Sequence, residues 1–318
     1  MIATLNVVKI NRALAALAIT IVLWAVAFPA IRVAVAEYGP AALSLLRLVI
    51  ASATLALAAP LLGLRRPSRR DLPLIALAGL TGMAGYQFLL TWGEVHIPAG
   101  TASLIIVTNP VYSAAIAMLF LGERMTTRQV IGAGAALVGT IAIATARGGM
   151  HFDRSTWVIL AAAVAFGAYH VTIKPLLSRY SGLEVTAYAT WTGTLLLLPG
   201  LPALVQATPH TTARAALAAA FLGVAPSALG FLAWSYAVAR LPVITATGAL
   251  YLVPPIAVGT GWLWLGENPR AIELLGGILA IASVAFANSR RRPEQTPSGT
   301  AVGRRDSCAA TRHPGDHP

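Results

Sequence analysis

The stretch LPVITATGALYLVPPIAVGTGWLWLGE (Leu241–Glu267) is apolar almost throughout, yet two prolines stand together near its middle. Pro254 and Pro255 each remove a backbone hydrogen-bond donor, and an unpaired carbonyl group in lipid is costly unless protein or water satisfies it. We therefore expect this stretch to face the interior of a helix bundle or a wet cavity. A bend that serves only helix packing is the alternative interpretation.

The same pattern occurs earlier in the chain. A shift of 144 residues places Pro110 on Pro254, and the Leu-Gly-Glu ending at Glu123 on the one ending at Glu267. Matches of proline, glycine and glutamate in one register are much rarer by chance than matches of alanine or leucine. The sequence therefore contains an internal repeat, whose two copies are residues 1–150 and 151–290.

The composition indicates a membrane protein. The chain is 57% hydrophobic and only 11% charged, whereas a soluble protein carries about 25% charged residues. Its net charge of +12 is concentrated in short tracts such as RRPSRR (Arg65–Arg70), which is typical of connectors beside a bilayer and not of a nucleic-acid-binding face. We expect the lipid bilayer as a partner and no nucleic acid. The single cysteine, Cys308, excludes an internal disulfide, and we expect no metal and no cofactor.

Ten apolar segments are each close to the roughly 20 residues that cross the hydrocarbon core as a helix. They predict an all-α integral membrane protein with ten transmembrane helices, and residues 291–318 are predicted to form a disordered basic and polar cytoplasmic tail. The segments are 13–36, 40–63, 72–92, 99–121, 128–146, 156–174, 184–206, 213–237, 243–265 and 271–289.

Orientation follows from the distribution of lysine and arginine. With the N-terminus inside, the N-terminal segment, the cytoplasmic connectors and Arg290–Arg292 together hold fourteen of these residues, and the outer connectors hold four. This bias predicts a multi-pass protein of a bacterial-type inner membrane with both termini in the cytoplasm. Five spans per copy is an odd number, so the second copy enters from the opposite side. Such inverted repeats are typical of secondary transporters.

Several stretches resemble the EamA-type members of the drug/metabolite transporter superfamily. They include WAVAFPAIRVAV (Trp24–Val35), the segment Ala99–Ala144 with its LGE, and the second LGE. The resemblance covers residues 13–290. It implies two inverted five-helix repeats, a central cavity lined mainly by the first, third, fourth, sixth, eighth and ninth helices, and export or exchange of amino acids and other small metabolites. Members often carry lysine where this chain has Arg32, so no substrate role is carried over to that residue.

Polar and aromatic side chains within the spans are the candidates for substrate binding. Trp and Tyr near span ends have an alternative role in the interfacial aromatic belt, and a histidine can be satisfied inside the bundle. The candidates are Trp24, Phe28, Gln87, Thr108, Asn109, His170, Trp234 and Tyr251.

A second group is assigned gating or structural roles. Arg32 and Arg47 lie within about two turns of span ends, where their side chains can snorkel; for Arg47, binding of a substrate carboxylate is the alternative. The two glutamates of the LGE motifs either close short turns or form an ion pair that changes with the access state. The group comprises Arg32, Arg47, Pro110, Glu123, Pro254, Pro255 and Glu267.

No carboxylate is predicted deep within a span, and Glu273 comes nearest to one. Proton-coupled export of cationic drugs normally needs a membrane-buried acid, so the small multidrug resistance branch of the superfamily fits badly. We expect a neutral or zwitterionic substrate that moves by facilitated diffusion, by exchange, or by coupling through another group such as His170.

These observations predict a secondary transporter of the inner membrane, monomeric or homodimeric, that exports or exchanges small metabolites by alternating access. Amino acids or their derivatives are the foremost small-molecule substrates. A channel or a non-transporting membrane scaffold is the alternative. An integral-membrane enzyme acting on lipid-linked substrates is less favoured, because it would need a cluster of His, Asp or Glu at a membrane face, and the sequence has no HExxH motif.

Overall fold

The computed structural model describes residues 2–97, 99–146, 154–266 and 271–288. Every regular element within these residues is a helix, so the predicted all-α class is confirmed for this part of the chain. Seven helical stretches of the described residues are long and apolar enough to cross a membrane. They are Ile10–Pro60, Arg69–Glu94, Ala102–Phe120, Arg154–Leu176, Gly182–His210, Ala213–Val238 and Val243–Trp264.

The α-helices are numbered along the chain, and short 3₁₀ and π segments join some of them. Those of the first half are α1 (Ile2–Leu62), α2 (Leu72–Ala78), α3 (Tyr86–Glu94), α4 (Ala99–Ile106), α5 (Asn109–Phe120) and α6 (Thr127–Ala146). Those of the second half are α7 (Arg154–Leu176), α8 (Gly182–Leu197), α9 (Leu201–Ala207), α10 (Ala213–Leu222), α11 (Phe231–Val238), α12 (Val243–Gly248), α13 (Val253–Leu265) and α14 (Ala271–Asn288).

Helix α1 contains two predicted spans joined by a kink instead of a loop. Gly39 interrupts it with φ 71° and ψ 168°, and Pro40 restarts the helix. Glycine adopts this positive φ without the clash that a Cβ would bring, and proline suits the first turn of a helix. A sharp turn between the first two spans is therefore encoded by two adjacent residues.

Two π-helical segments occupy equivalent places in the two halves, Gly79–Gly85 before α3 and Gly223–Gly230 before α11. Both begin with a glycine that permits close helix packing. A Cβ on the first glycine of the earlier segment would lie 2.7 Å from Thr192 Cβ, and one on the first glycine of the later segment would lie 2.5 Å from Ile50 Cβ. Because these glycines have no side chain, α8 can pack closely against the earlier π segment and α1 against the later one.

The predicted interruptions are present, and they are complete breaks between helices. Helix α4 ends before α5 starts at Asn109, with Pro110 as its second residue. A 3₁₀ segment, Ala249–Leu252, separates α12 from α13, in which Pro254 and Pro255 are the second and third residues. The first turn of a helix has no intrahelical partner for its N–H groups, so proline removes no hydrogen bond there.

The two halves are interleaved, because α1 packs against α8, α9, α10, α11 and α13 of the second half. The two glycine-rich helices, α6 and α14, pack against each other, and small residues favour this kind of close contact in membranes. The predicted tail, 291–318, and Glu267 lie outside the described residues.

Candidate functional site

An aromatic cluster lies where α1, α7 and α11 meet. The Trp24 ring centroid is 5.0 Å from that of Phe166, 5.1 Å from that of Phe231 and 5.4 Å from that of Trp234. The His170 ring lies 4.5 Å from Trp234, and each of these five side chains is at most 7% exposed. Three of the predicted substrate-binding residues, Trp24, His170 and Trp234, are therefore brought together.

Two small cavities adjoin this cluster, with volumes of about 20 and 10 Å³. Both are lined by Trp24, Phe28 and Tyr86, and the larger also borders Asn109. Each holds about one water molecule. The centre of the protein is thus nearly closed around a small space, and a metabolite can enter only if the helices move apart.

The helices around these cavities are the ones that the family resemblance implies. The first, third, fourth, sixth, eighth and ninth predicted spans all contribute, and the second adds Arg47. The lining residues that represent them are Trp24, Phe28, Tyr86, Ser103, Asn109, Phe166, Phe231, Leu250 and Val253.

Several buried polar atoms around the centre have no hydrogen-bond partner in the protein. Asn109 donates from Nδ2 to the Ile106 carbonyl at 2.8 Å, which leaves Oδ1 unpaired. His170 pairs through Nδ1 with Ser113 Oγ at 3.2 Å, which leaves Nε2 unpaired, and the Nε1 of Trp234 is also unpaired. Because buried polar groups are normally satisfied, these atoms are the natural partners for a bound ligand.

Arg47 lies beside the same centre and does not snorkel to the surface. Its side chain is buried, with the residue only 3% exposed. The two hydrogen bonds of its guanidinium, to Thr91 Oγ1 and Ser227 Oγ, are both 3.5 Å long, and Nε has no partner. Bonds of that length are weak. Ser227 in turn donates to Gln87 Oε1 at 3.3 Å, so Gln87 belongs to this cluster.

A buried carboxyl group that the sequence analysis does not single out lies at the end of a span. Glu94, the last residue of α3, is 0% exposed, and neither carboxylate oxygen has a hydrogen-bond partner. The predicted third span stops at residue 92, which placed Glu94 in a connector. Helices α1 and α7 pack against α3, and Arg32 of α1 and Ile159 of α7 contact its last two residues. A span predicted from the hydrophobicity of one segment does not show which other helices pack against its end.

Arg32 and Lys174 occupy equivalent positions in the two halves, and each binds the carbonyl end of a helix. Arg32 Nη1 donates to the Glu94 carbonyl at 2.6 Å. Lys174 Nζ donates to the carbonyls of Val238 and Leu241 at 2.5 and 2.6 Å. Cations stabilise the unsatisfied carbonyls at a helix C-terminus. This geometry accords with a structural role for Arg32.

Glu123 binds the start of a helix in the other half. Its carboxylate accepts from the backbone N–H groups of Val243 and Ile244 at 2.8 and 2.9 Å. The preceding Gly122 has φ 65°, and its counterpart Gly266 has φ 69°. Glu123 therefore links the end of the α5 stretch to α12, which is neither the simple turn closure nor the ion pair that we expected.

Three predicted residues lie away from the centre. The Thr108 hydroxyl donates to the Ile105 carbonyl at 2.7 Å and closes the α4–α5 break. Tyr251 and Pro110 line a separate, mainly apolar cavity of about 250 Å³ between α5, α6, α12 and α14. Of the paired prolines in α13, Pro254 is buried and Pro255 is half-buried.

Sequence reasoning missed the stack formed by Tyr86 and Phe166, whose ring centroids are 3.9 Å apart with an interplanar angle of 6°. A signal for Phe166 was present, because it follows Trp24 by 142 residues, the shift that aligns the starts of the two halves. Among the described residues, no group of three His, Cys, Asp or Glu side chains is placed to hold a metal ion.

Comparison with known proteins identifies the class. The EamA-like transporter family matches residues 11–145 and again residues 154–289, so the chain belongs to this family. It is a membrane transporter and not an enzyme. The duplicated match agrees with the repeat found in the sequence.

Individual relatives cover nearly the whole chain. A probable terminal-alkyne amino-acid exporter from Streptantibioticus cattleyicolor is 53% identical over 293 residues, which is 91% of this chain and 99% of the relative. The uncharacterized transporter YdfC of Bacillus subtilis is 35% identical over 265 residues, which is 83% of this chain and 87% of the length of YdfC. One crystal structure, 21% identical, superimposes with a TM-score of 0.70 over 87% of this chain and 98% of the other, which shows the shared fold.

Proposed function

We propose that this chain exports or exchanges amino acids or their derivatives across the inner membrane by alternating access. Ten spans in two inverted five-helix repeats would enclose the site, with both termini in the cytoplasm. The observation that carries the proposal is the closed centre, where Asn109 at the start of a broken helix lines the larger cavity with Oδ1 unpaired, and His170, packed against Trp24 and Trp234 beside it, has Nε2 unpaired. Broken helices at matching places of two halves mark the substrate site in many transporters.

The connectors support the ten-span topology. If the ten predicted spans alternate in direction, each connector is assigned to one side of the membrane. In the structure, the connectors that contact each other are assigned to the same side. The joined connectors are 37–40 with 208–212, 63–71 with 177–184, 92–97 with residue 154, and 122–126 with 241–245.

The cytoplasmic end of this arrangement is closed by ion pairs. Arg65 donates to the Glu184 carboxylate at 2.9 and 3.0 Å, and the hydrogen bond to this carboxylate raises the pKa of the Arg65 guanidinium. Asp71 accepts from Arg179 and from the Tyr180 hydroxyl. In both pairs the arginine side chain is exposed and the carboxylate is buried, so an opening of this end must give each carboxylate access to water.

The closed centre favours a carrier over a channel. The two central cavities, lined by described residues, are of about 20 and 10 Å³, and each is too small for a solute larger than water. A carrier must pass through a state in which the site is sealed from both sides. Rocking of the two halves about the broken helices would open one side at a time.

The proposed substrate class combines the site with the relatives. A small amino acid offers polar groups for Arg47, Asn109 and His170, and a compact apolar tail for the rings of Trp24 and Phe28. The relative at 53% identity is described as a probable exporter of terminal-alkyne amino acids. We therefore propose amino acids with short apolar or unsaturated side chains as the first compounds to test.

Counterflow in proteoliposomes tests the proposal. Vesicles loaded with millimolar propargylglycine, a terminal-alkyne amino acid, would be diluted into trace radiolabelled propargylglycine. A carrier predicts transient, saturable accumulation of label that needs the unlabelled compound inside. Leucine and threonine in the lumen would define the range of side chains accepted.

The alternatives give different results. A channel predicts flux that does not saturate and does not depend on luminal substrate, whereas a scaffold predicts no flux above protein-free vesicles. Either result, obtained with all three amino acids and correctly inserted protein, would contradict the proposed function.

A further inference from the structure

One face of α3 carries Gln87, Thr91 and Glu94, spaced so that they lie one above the other along the helix. Arg47 reaches this face from α1 through its contact with Thr91. Glu94 lies on the next turn, within electrostatic range of the Arg47 guanidinium. A buried guanidinium from α1 and a buried carboxyl group of α3 thus lie in the same region, about one helical turn apart along α3.

These two groups do not satisfy each other. Both oxygens of Glu94 and the Nε of Arg47 have no hydrogen-bond partner, and the remaining Arg47 contacts are 3.5 Å long. An unpaired charge away from water is strongly unfavourable. A zwitterion placed between them would supply the missing partner to each, because an amino acid carries one ammonium and one carboxylate on adjacent atoms.

We propose that Arg47 binds the α-carboxylate and Glu94 the α-ammonium of a zwitterionic substrate, and that a proton replaces the ammonium on Glu94 when the substrate leaves. This inference rests on the proposed function, and it names the proton as the ion whose movement is coupled to substrate export. The released substrate remains a zwitterion, and the Glu94 carboxylate takes one proton from the outer side. Each turnover then moves one amino acid out and one proton in.

Charged and titratable groups surround Glu94 on several elements, and Glu94 is the carboxyl group among them that can exchange this proton. From α1 it faces Arg32 and Arg47, and its own helix carries Tyr86. From α7, Arg154 lies over the Trp92 ring at 5.6 Å, and the His96 ring centroid is 5.2 Å from that of the same tryptophan. The α4 sequence contributes no titratable side chain. The exposed turn at Val95 and His96 gives a short route for a proton from the proposed outer side.

The first test compares wild type with Glu94→Gln in proteoliposomes, using propargylglycine as the probe. An imposed gradient of one pH unit should raise the steady-state accumulation of propargylglycine by wild type about tenfold, since one coupled proton per unit of pH contributes about 1.4 kcal/mol. Glu94→Gln should lose this response to the gradient and retain counterflow at higher substrate concentrations. Glu37→Gln, a carboxylate that binds Thr212 at the surface, is the matched control and should behave as wild type.

A pH-gradient response in Glu94→Gln equal to that of wild type would overturn the inference, as would net wild-type uptake that does not respond to the gradient. Both results leave the proposed function intact. Absence of any wild-type counterflow contradicts the proposed function instead.

A measurement on the unmodified protein covers the case in which Glu94→Gln does not fold. Purified transporter in weakly buffered detergent should release protons when propargylglycine binds, at most one per site. But-3-yn-1-amine, which lacks the carboxylate, should also release protons. Binding without release overturns the exchange at Glu94.

The Arg47 contact has its own test. Arg47→Gln should weaken binding of propargylglycine about tenfold or more, since a hydrogen bond to a charged group contributes roughly 1.5–3 kcal/mol. Binding of but-3-yn-1-amine should change much less, because it has no carboxylate. Equal losses for both compounds would show that Arg47 does not hold the carboxylate.

Discussion

Ser52 and Thr194 stand 142 residues apart, the shift that places Arg32 on Lys174 near the start of each half, and their hydroxyl groups are hydrogen-bonded to each other at 2.8 Å. Two equivalent residues can touch only if they lie at the axis that relates the two copies. The contact therefore supports the proposed pseudo-twofold arrangement of the repeats. It lies between α1 and α8, where both helices pack closely against π segments.

This contact predicts a specific crosslink. Cysteines at both positions, in a chain with Cys308→Ser, should form a disulfide under mild oxidation, because side-chain atoms 2.8 Å apart match the reach of a disulfide. Gel mobility after proteolysis between the halves would detect it. Either cysteine alone is the control, and a pair that stays reduced while the protein remains folded would contradict the arrangement.

Arg32 should prove to be a structural residue. Arg32→Ala removes the donor to the Glu94 carbonyl and should lower stability in detergent by about 1–3 kcal/mol, with little change in the KM for substrate. Arg32→Lys should restore much of the loss, because Lys174 performs the equivalent role in the other half. Thermal unfolding and counterflow on the same samples separate the two effects. A raised KM with unchanged stability would instead assign Arg32 to the substrate.

Asn109 and His170 should affect transport and not insertion. Asn109→Leu removes the unpaired Oδ1 of a cavity-lining residue, and His170→Leu removes the unpaired Nε2 of the adjoining aromatic cluster. Either change should reduce kcat/KM by roughly tenfold or more, because each group is proposed to contribute one substrate hydrogen bond. Gln206→Leu on the exposed face of α9 is a matched control. Counterflow normalised to inserted protein is the measurement, and wild-type flux in both variants would count against this site.

Pro255→Ala tests the role of the helix break. An alanine at the start of α13 restores a backbone donor and favours continuation of the helix through the 3₁₀ segment. We expect the counterflow rate to change by about an order of magnitude, with a folding yield close to wild type. Unchanged kinetics would favour the interpretation that the proline only serves packing.

Much of the architecture could be predicted from the sequence, because its signals are local or repeated. The breaks beside Pro110 and Pro254 follow from proline chemistry, and the match between the halves needs only a fixed shift. The seven span-length helical stretches of the described residues cover eight of the ten predicted segments, because Ile10–Pro60 contains two of them and neither 128–146 nor 271–289 is among the seven. Trp24 and His170 were identified as deep residues by their place within those segments.

The remainder depends on packing between distant segments. Glu94 is buried because α1 and α7 cover the end of α3, and nothing near residue 94 in the sequence indicates it. Tyr251 was placed in the substrate site, but the 3₁₀ segment Ala249–Leu252 changes the helical rotation and turns it toward another cavity. Arg47 lies within reach of a span end, yet the neighbouring helices enclose it.

The most direct test of the central claim is the reactivity of a single cysteine at Asn109, in a chain with Cys308→Ser, toward a charged, membrane-impermeant thiol reagent. Right-side-out and inverted vesicles present the two faces separately. A centre that opens alternately predicts reaction from both faces and protection by propargylglycine, while a cysteine at the lipid-facing Leu57, which is 78% exposed, stays unreactive. No reaction from either face, or reaction from both with no protection by any amino acid that exchanges, would contradict a substrate site at this position.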